Sequence, residues 1–536
     1  MRNWNKSKRT FWQSRRINFS KKILQFALKL KNPKLKPFIH LKDIAKLLIQ
    51  SSNNENIACP KNLDVDLDKI CFSDLFFPEE FSKLQQGLNK LSPDHPSDCP
   101  DLSSLSSYFD KEKLNEWFGN INNSPYETTS TFFVGRINFN PANKRLANLV
   151  CSTEIQLLSI DSSFIALSIF VNPSNVFKQK FLSLVKSNPF PHCELSGFNL
   201  KHRIFTRTSF KNPAYARKIE LEEIFLDMNK AIANLLRENF DAGLSRFGLL
   251  PSVEIIKISS SLKEMTKDRF ESKLSERFDG SHYNFFRSLG YPFDTNEIYT
   301  RNSFWRFYEV FRNELFYQKP HSYQLIMSEM DYKSLENGEI QNSVPIFHSI
   351  SDELSEIMFL LALEHFYKVL KDLVIGLKTD LDITLSDQAE GKIEFRKSKA
   401  AFSKMTILNG FDFYHSRMWV GIDEEILWNY IGRGAKELVR GKYKENDSGI
   451  LLDDIKRKIN RNKKFCNEQL ILLRSSYGNL LSCKTLELNL WFQSITLYLS
   501  IAVAVLTIVT IVPDENRKVL FNLIVNWSNE YLFNRK

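Results

Sequence analysis

The sequence lacks any pair of cysteines at the spacing that binds zinc. Its seven cysteines are odd in number and none belongs to a CxxC pair, so neither a zinc knuckle nor a disulfide framework is predicted. Free cysteines are usually buried, which favours reduced thiols in a cytosolic body. The cysteines are Cys59, Cys71, Cys99, Cys151, Cys193, Cys466 and Cys483.

The sequence also lacks the common catalytic motifs. It has no GxxxxGK[ST] phosphate loop, no HExxH, no GxSxG elbow and no kinase signature. The nine histidines sit apart, and His365 lies in a mostly apolar helix, where a core histidine is commoner than a ligand. We therefore predict no enzyme activity, no catalytic residue, no metal and no cofactor.

Acidic residues are missing from the first 36 positions, which carry twelve Lys and Arg. No uninterrupted apolar stretch follows, so this start is not a secretory signal, although a mitochondrial presequence has a similar composition. Residues 15–36 place Ile23, Phe26, Ala27 and Leu30 on one helical face, which suits an anionic membrane surface, a nucleic acid or packing on the protein's own domain. The net charge of +11 favours an anionic partner.

The chain reads as an α+β cytosolic body followed by one C-terminal transmembrane helix. Its N-terminal region is predicted to be helical, its middle mixed α/β, and its C-terminal region helical. β-branched and aromatic residues predict strands at 131–139, 151–160, 163–171 and 251–259. Helices are predicted at 219–239 and at 351–378, where a capping-box pattern begins a buried core helix.

These elements define seven consecutive regions. They are a basic helical region (1–91), a polar, proline-punctuated linker (92–107), a mixed α/β domain (108–300), a mainly helical domain (301–445), a stalk helix (446–487), a transmembrane helix (488–512) and an interfacial tail (513–536).

Two stretches could bind an anionic ligand. The first, KHRIFTRTSFKNPAYARK at 201–218, alternates cations with aromatic rings, a combination that holds phosphates and single-stranded bases. The second, IGRGAKELVRGKYK at 431–444, could admit an anion at Gly432 and Gly434. A basic sheet face with its rings in the core, and a solvated basic turn, are the respective alternatives. The candidate ligand residues are Lys201, Arg203, Phe205, Arg207, Lys211, Arg217, Arg433 and Lys436.

A long uncharged run, LNLWFQSITLYLSIAVAVLTIVT at 488–510, is long enough to span a bilayer. Polar residues recur along it at steps of three and four, which places them in one seam of a helix. Because polar groups facing lipid are costly, the seam predicts that several copies associate with these faces inward, around a pore or only as packed helices. The predicted pore-lining residues are Asn489, Gln493, Thr496, Ser500, Val503, Thr507 and Thr510.

In its layout, positive charge and polar span, the chain resembles the membrane effectors of bacterial antiphage systems. Two of these are the CRISPR-associated CorA-like proteins, which respond to a nucleotide signal, and the channel subunit of the Hailong system, a tetramer held closed by DNA oligomers. CorA transporters have two spans and a Gly-Met-Asn loop. This chain has one long apolar run and no such tripeptide, so the resemblance does not extend to metal transport.

The leading hypothesis is a homo-oligomeric ligand-gated channel or membrane-disrupting effector, with a tetramer favoured by the resemblance. Its single span would cross the inner membrane, with the large N-terminal body in the cytoplasm binding an anionic nucleotide or oligonucleotide. The alternative is a tail-anchored scaffold whose soluble domain binds a protein or RNA. An enzyme with an unrecognised site is a third hypothesis.

Overall fold

The fold is described from a computed structural model of the chain. The described residues are 20, 22–29, 39, 41–47, 50, 57–61, 63–91, 102–105, 110–123, 129–139, 144–160, 164–189, 193–199, 204–210, 213–262, 285–289, 298–300, 305–310, 322–333, 351–389, 439–440, 450–511 and 522.

Mixed α/β content is confirmed, and most of the strands join one sheet. The strands are β1 (Val65–Phe76), β2 (Leu102–Leu105), β3 (Thr129–Phe139), β4 (Val150–Ile160), β5 (Phe164–Pro173), β6 (Cys193–Asn199), β7 (Ile204–Phe210), β8 (Ser252–Ile258), β9 (Ile298–Thr300), β10 (Trp305–Val310), β11 (Ser322–Ser328) and β12 (Val439–Arg440). Within the described residues, ten of them form a sheet of order β12-β9-β10-β11-β8-β1-β5-β4-β3-β2, and β6 pairs with β7 separately.

All neighbours in the large sheet are antiparallel except β8 and β11, which are parallel. The segment β3-β4-β5 is a meander, as expected for consecutive strands joined by short connections. The strand β1 lies near the middle of the sheet, and its partner β8 comes about 190 residues later in the chain. The centre of the body is therefore built from distant parts of the sequence.

The longer helices are α1 (Phe81–Lys90), α2 (Lys111–Asn123), α3 (Asn175–Val185), α4 (Pro213–Phe240), α5 (Ser351–Ala389) and α6 (Leu451–Ile511). Shorter helical pieces are Lys144–Ala147 and the 3-10 turns Pro78–Glu80 and Leu244–Phe247. The predicted helices at 219–239 and 351–378 correspond to α4 and α5, which both extend beyond the predicted bounds.

The prediction of a helical region over residues 1–91 was wrong for β1. Asp66, Asp68 and Lys69 interrupt its apolar pattern, but Lys69 is largely buried against Glu154 on β4, with Nζ 2.7 Å from Oε2. A paired cation can occupy a sheet interior that an unpaired one could not. Two further predictions need correction. Residues 92–107 were predicted to be a linker, but they contain β2, which pairs with β3. Residues 301–445 were predicted to be mainly helical, but β10, β11 and β12 join the sheet.

Part of the predicted face of the basic N-terminal segment packs against protein: Ala27 is buried and Ile23 packs against the same cluster, whereas Leu30 lies outside the described residues. Leu24 and Ala27 are buried in a cluster with residues 41–45, while Phe26 is 54% exposed. Positions spaced by three then form the buried stripe, which is the usual pattern of a helix packed on protein. Of the three alternatives for this segment, packing on the protein's own domain fits these contacts.

Helices cover both faces of the large sheet. Phe76 pairs in register with Ile165, so the adjacent Phe164 points to the opposite face. On the first face Phe76 meets Phe240 of α4 edge to face, and on the other Phe164 meets Phe359 of α5. The core is therefore a sheet between helices, and α5 is one of its two covers.

The chain divides into two compact units. The first takes in Met1–Leu373 and Thr406–Lys464, and it contains the large sheet. The second takes in Val374–Met405 and Phe465–Lys536. Its described part consists of the C-terminal section of α5 and the greater part of α6.

Candidate functional site

Helix α6 is continuous from Leu451 to Ile511, 61 residues in all. At 1.5 Å per residue it is about 90 Å long, roughly three times the thickness of a bilayer core. The predicted boundary between a stalk and a membrane helix at 487/488 therefore falls inside one helix. Gly478 lies within this helix and does not interrupt it.

The N-terminal section of α6 is amphipathic. In the first unit Leu452, Ile455 and Ile459 are buried, and in the second unit Leu470 and Leu473 are buried. Their spacing by three, four or a larger helical multiple is that of a stripe packed against protein. Beyond Leu473, all described side chains are exposed or partly exposed.

Helix α5 contacts the N-terminal section of α6 through polar side chains. In the first unit, Lys371 Nζ of α5 donates to Oδ1 of Asn462 of α6 across 3.1 Å. Burial lowers the pKa of the neighbouring Lys368 and raises that of Asp372, and the opposite charges partly offset this. In the second unit, Lys378 bonds Gln469 across 3.1 Å. Each of the two bonds joins residues 91 positions apart in the sequence.

The section Asn489–Thr507 is the one described helical window that is long and apolar enough to cross a membrane, judged by length and composition. None of it is buried. Trp491 and Phe492 lie near its beginning, where interfacial aromatics anchor membrane helices. A C-terminal helix suited to a membrane is thus present, as the sequence predicted.

The structure places the predicted seam on this window. Its described members are all exposed: Asn489, Gln493, Thr496, Ser500, Val503 and Thr507. Thr510 belongs to α6, but its side chain lies outside the described residues. The apolar residues of the window, such as Leu497 and Leu506, are equally exposed. Exposure therefore does not separate the seam from the rest of the helix.

The four serine and threonine hydroxyl groups of the window are satisfied by their own helix. Each donates to the carbonyl oxygen four residues earlier, at 2.8–2.9 Å, in Ser494, Thr496, Ser500 and Thr507. This back-bonding fills the donor of a serine or threonine without a neighbouring helix. Because their donors are filled, these hydroxyls do not by themselves require an inward-facing assembly, and the two amides, Asn489 and Gln493, become the informative members of the seam.

Only part of the predicted anion-binding surface lies in the described residues. The predicted strand over 201–207 is described as β7, Ile204–Phe210, paired with β6. Phe205 and Arg207 lie two positions apart on β7, and their side chains lie outside the described residues. Lys201, Arg203, Lys211, Arg433 and Lys436 lie outside the described residues.

Arg217 is a correction to the predicted ligand set. It lies in α4 and is fully buried, with Nη1 3.3 Å from Oε2 of Glu220 and Nη2 donating to the carbonyl of Ser187. Burial lowers the pKa of Arg217 to about 10, opposed by Glu220, so the guanidinium stays charged at neutral pH. It ties α4 to the segment that follows α3 and is not accessible to a ligand.

The sequence reasoning missed a buried acid, Asp74, at the end of β1. Its Oδ1 accepts hydrogen bonds from the backbone nitrogens of Leu75, Leu244 and Ser245, at 2.8, 2.5 and 3.3 Å. Burial raises the pKa of Asp74 to about 7, and these hydrogen bonds act in the opposite direction. The carboxyl thus caps the turn Leu244–Phe247.

A second buried acid holds the same turn. Glu80 accepts hydrogen bonds from the backbone nitrogens of Phe77 and Gly243, both at 3.3 Å, and forms an ion pair with Arg246. Burial raises the pKa of Glu80, while Arg246 lowers it. Gly243 and Gly248 flank this turn, and both have positive φ, which glycine adopts readily. These two glycines were the only signal of the turn in the sequence. These acids have a structural role.

Comparisons with protein-family models, with curated proteins and with solved structures find no match to this chain.

Proposed function

We propose that this protein is a homo-oligomeric membrane effector in which copies of α6 form an ion pathway and the body binds an anionic nucleotide or oligonucleotide. The observation that carries the proposal is the change along α6, from a packed amphipathic section to an apolar section with no buried residue. A helix of this kind connects a folded body to a bilayer.

The apolar section supports a membrane location on energetic grounds. Leu490, Leu497, Leu499 and Leu506 are each 60% exposed or more. Burying one such side chain is worth roughly 1.5–3 kcal/mol, and the window contains many more apolar side chains. A bilayer removes this surface from water, with the body on the cytoplasmic side of the inner membrane.

Two features support a channel over a simple anchor. The seam runs along one side of the window, and two of its members, Asn489 and Gln493, carry amides. Polar side chains within a span commonly face other helices or water. Serine and threonine without a charged ring would give such a path little charge selectivity.

A tail-anchored scaffold is the second candidate, and one observation favours it. Because the four hydroxyls bond to their own helix, they could face lipid at small cost. In that case the span would only hold the body at the membrane, where it would bind a protein or RNA.

Ion flux from liposomes separates the two candidates. Liposomes are loaded with a fluorescent ion indicator, reconstituted with the full chain, and measured with and without added oligonucleotide. The channel proposal predicts that they lose their ion gradient in at least one of these two conditions. A chain ending at Glu487 is the matched control. Stable insertion of the full chain without flux in either condition would favour the scaffold.

The ligand class is tested separately, by mass spectrometry of small molecules that copurify with the full chain. A bound nucleotide or oligonucleotide supports the sensing part of the proposal. The resemblance in layout to antiphage effectors extends the proposal to antiphage defence. Expression of the full chain in a bacterial host should then reduce phage replication or arrest growth of the host. The chain ending at Glu487, which lacks the span, should do neither.

A further inference from the structure

Hydrogen bonding distinguishes the serine and threonine hydroxyls of the apolar window from the amide of Gln493. The hydroxyls of Ser494, Thr496, Ser500 and Thr507 have acceptors within α6. The amide of Gln493 has no hydrogen bond to any part of the chain that the structure describes. An amide carries two donors and an acceptor, so one back-bond would in any case leave most of its capacity unused.

The position of Gln493 places its amide inside the hydrocarbon layer. The window Asn489–Thr507 is centred on Tyr498. At 1.5 Å per residue, Gln493 is about 7–8 Å from that centre and Asn489 about 13–14 Å. Half the hydrocarbon thickness is about 15 Å, so Asn489 reaches the water interface and Gln493 does not. Within the lipid, a free amide is costly and finds a partner in another helix.

The partner that fits is a second copy of the same residue. A glutamine amide both donates and accepts, so identical side chains around a symmetry axis can each donate to the next and accept from the previous one. A single polar residue at a seam position is a known device for fixing register and subunit number in coiled coils. The seam steps of four and three place Gln493 at such a position, between Asn489 and Thr496.

We propose that Gln493 is the contact that specifies self-association of α6, through a ring of side-chain amides contributed by the copies. Ser500 and Thr507 then contribute close packing and wetting of the path, without holding the assembly together. This inference rests on the proposed function, since it names the contact on which the oligomer depends.

The test compares subunit counts of fluorescently labelled full chains in liposomes, by stepwise photobleaching, for four proteins. These are the parent, Gln493→Leu, Gln493→Asn and Thr507→Val. The inference predicts at least a tenfold loss of multimers for Gln493→Leu, partial retention for Gln493→Asn, which keeps an amide, and a parental distribution for Thr507→Val. Circular dichroism of the body and alkaline extraction establish that each variant is folded and inserted.

Two results would overturn the inference: a parental distribution for Gln493→Leu, or an equal loss of multimers for Thr507→Val. Ion flux measured on the same liposomes separates this outcome from failure of the proposed function. If both the parent and Gln493→Leu form multimers that conduct, the channel proposal stands and the amide ring is rejected. If the multimers depend on Gln493 but do not conduct, the amide ring stands and the channel proposal is rejected. A monomeric parent contradicts both.

Discussion

A Cβ atom at Gly243 would lie 2.6 Å from Oδ1 of Asp74. Gly243 has φ of +72°, and the turn it begins presses its backbone onto the buried carboxyl. Both the conformation and the close approach require glycine. This contact joins the end of β1 to the turn after α4, so it is part of the construction of the body.

Gly243→Ala should therefore destabilise the body, by more than about 1 kcal/mol, because alanine at positive φ is strained and its methyl group displaces the Asp74 carboxyl. Thermal unfolding of the full chain in detergent measures the effect. The matched control is Gly119→Ala in α2, where a Cβ meets nothing within 4 Å and alanine raises helix propensity. Equal melting temperatures for Gly243→Ala and the parent would contradict the described turn.

Asp74 should also make stability depend on pH. The pKa of an aspartate is about 3.9 when unfolded, and burial raises that of Asp74 to about 7. Between these values the folded state holds a proton that the unfolded state has released, so the free energy of unfolding falls as pH rises from about 4 to 7 and then levels off. Other groups titrate in the same range, so the informative quantity is the difference between two proteins.

Asp74→Asn removes the titration while keeping an acceptor oxygen for the turn. The stability of this variant relative to the parent should rise between pH 4.5 and 7.5 and be flat above that, as measured by denaturant unfolding at several pH values. A difference that is independent of pH, or that falls as pH rises, would contradict the raised pKa of Asp74.

Some of this architecture follows from sequence and some does not, for identifiable physical reasons. Strands β3, β4 and β5 are dense in β-branched and aromatic residues and pair with their sequence neighbours, so local patterns predict them. The central strand β1 contains Asp66, Asp68 and Lys69, and the burial of Lys69 depends on its partner Glu154 on β4, which local patterns do not identify. The parallel pairing of β8 with β11 is likewise non-local.

The candidate site shows the same division. Length and apolarity of the span and the spacing of its seam are sequence properties and were predictable. The back-bonds of Ser500 and Thr507 depend on side-chain rotamers, which composition does not reveal. Arg217 resembles an exposed cation in sequence, and only the packing of α4 against Ser187 shows that it is buried.

Membrane attachment should depend on the apolar section of α6. A chain ending at Glu487 should be released into the soluble fraction, because it lacks the exposed apolar window. The control is a chain ending at Val512, which lacks only the tail and should remain in membranes through alkaline washing. Retention of the shorter chain under that washing would place the anchor elsewhere, with the basic N-terminus as the first alternative.

Ligand binding should depend on the basic, aromatic segment around β7. Replacing Arg203 and Arg207 with glutamate should weaken binding of single-stranded oligonucleotide and reduce the salt slope by at least about 1.4, because each lost phosphate contact contributes about 0.7. The control is Lys90→Glu with Lys180→Glu, which changes the net charge equally at exposed helical positions. Equal affinity and slope in the two double variants would remove this segment as the ligand site.

The central claim is that the seam of α6 lines a water-filled path, and current recording across planar bilayers tests it most directly. The comparison is between the parent, Ser500→Leu with Thr507→Leu, and Leu497→Val with Ile501→Val, with Gln493 kept in all three so that assembly is unchanged. We expect stepwise currents from the parent and from the Leu497 and Ile501 variant. The Ser500 and Thr507 variant should insert and assemble but lose current, because an apolar constriction expels water. Parental currents from the Ser500 and Thr507 variant, or no currents from the parent, would contradict the claim.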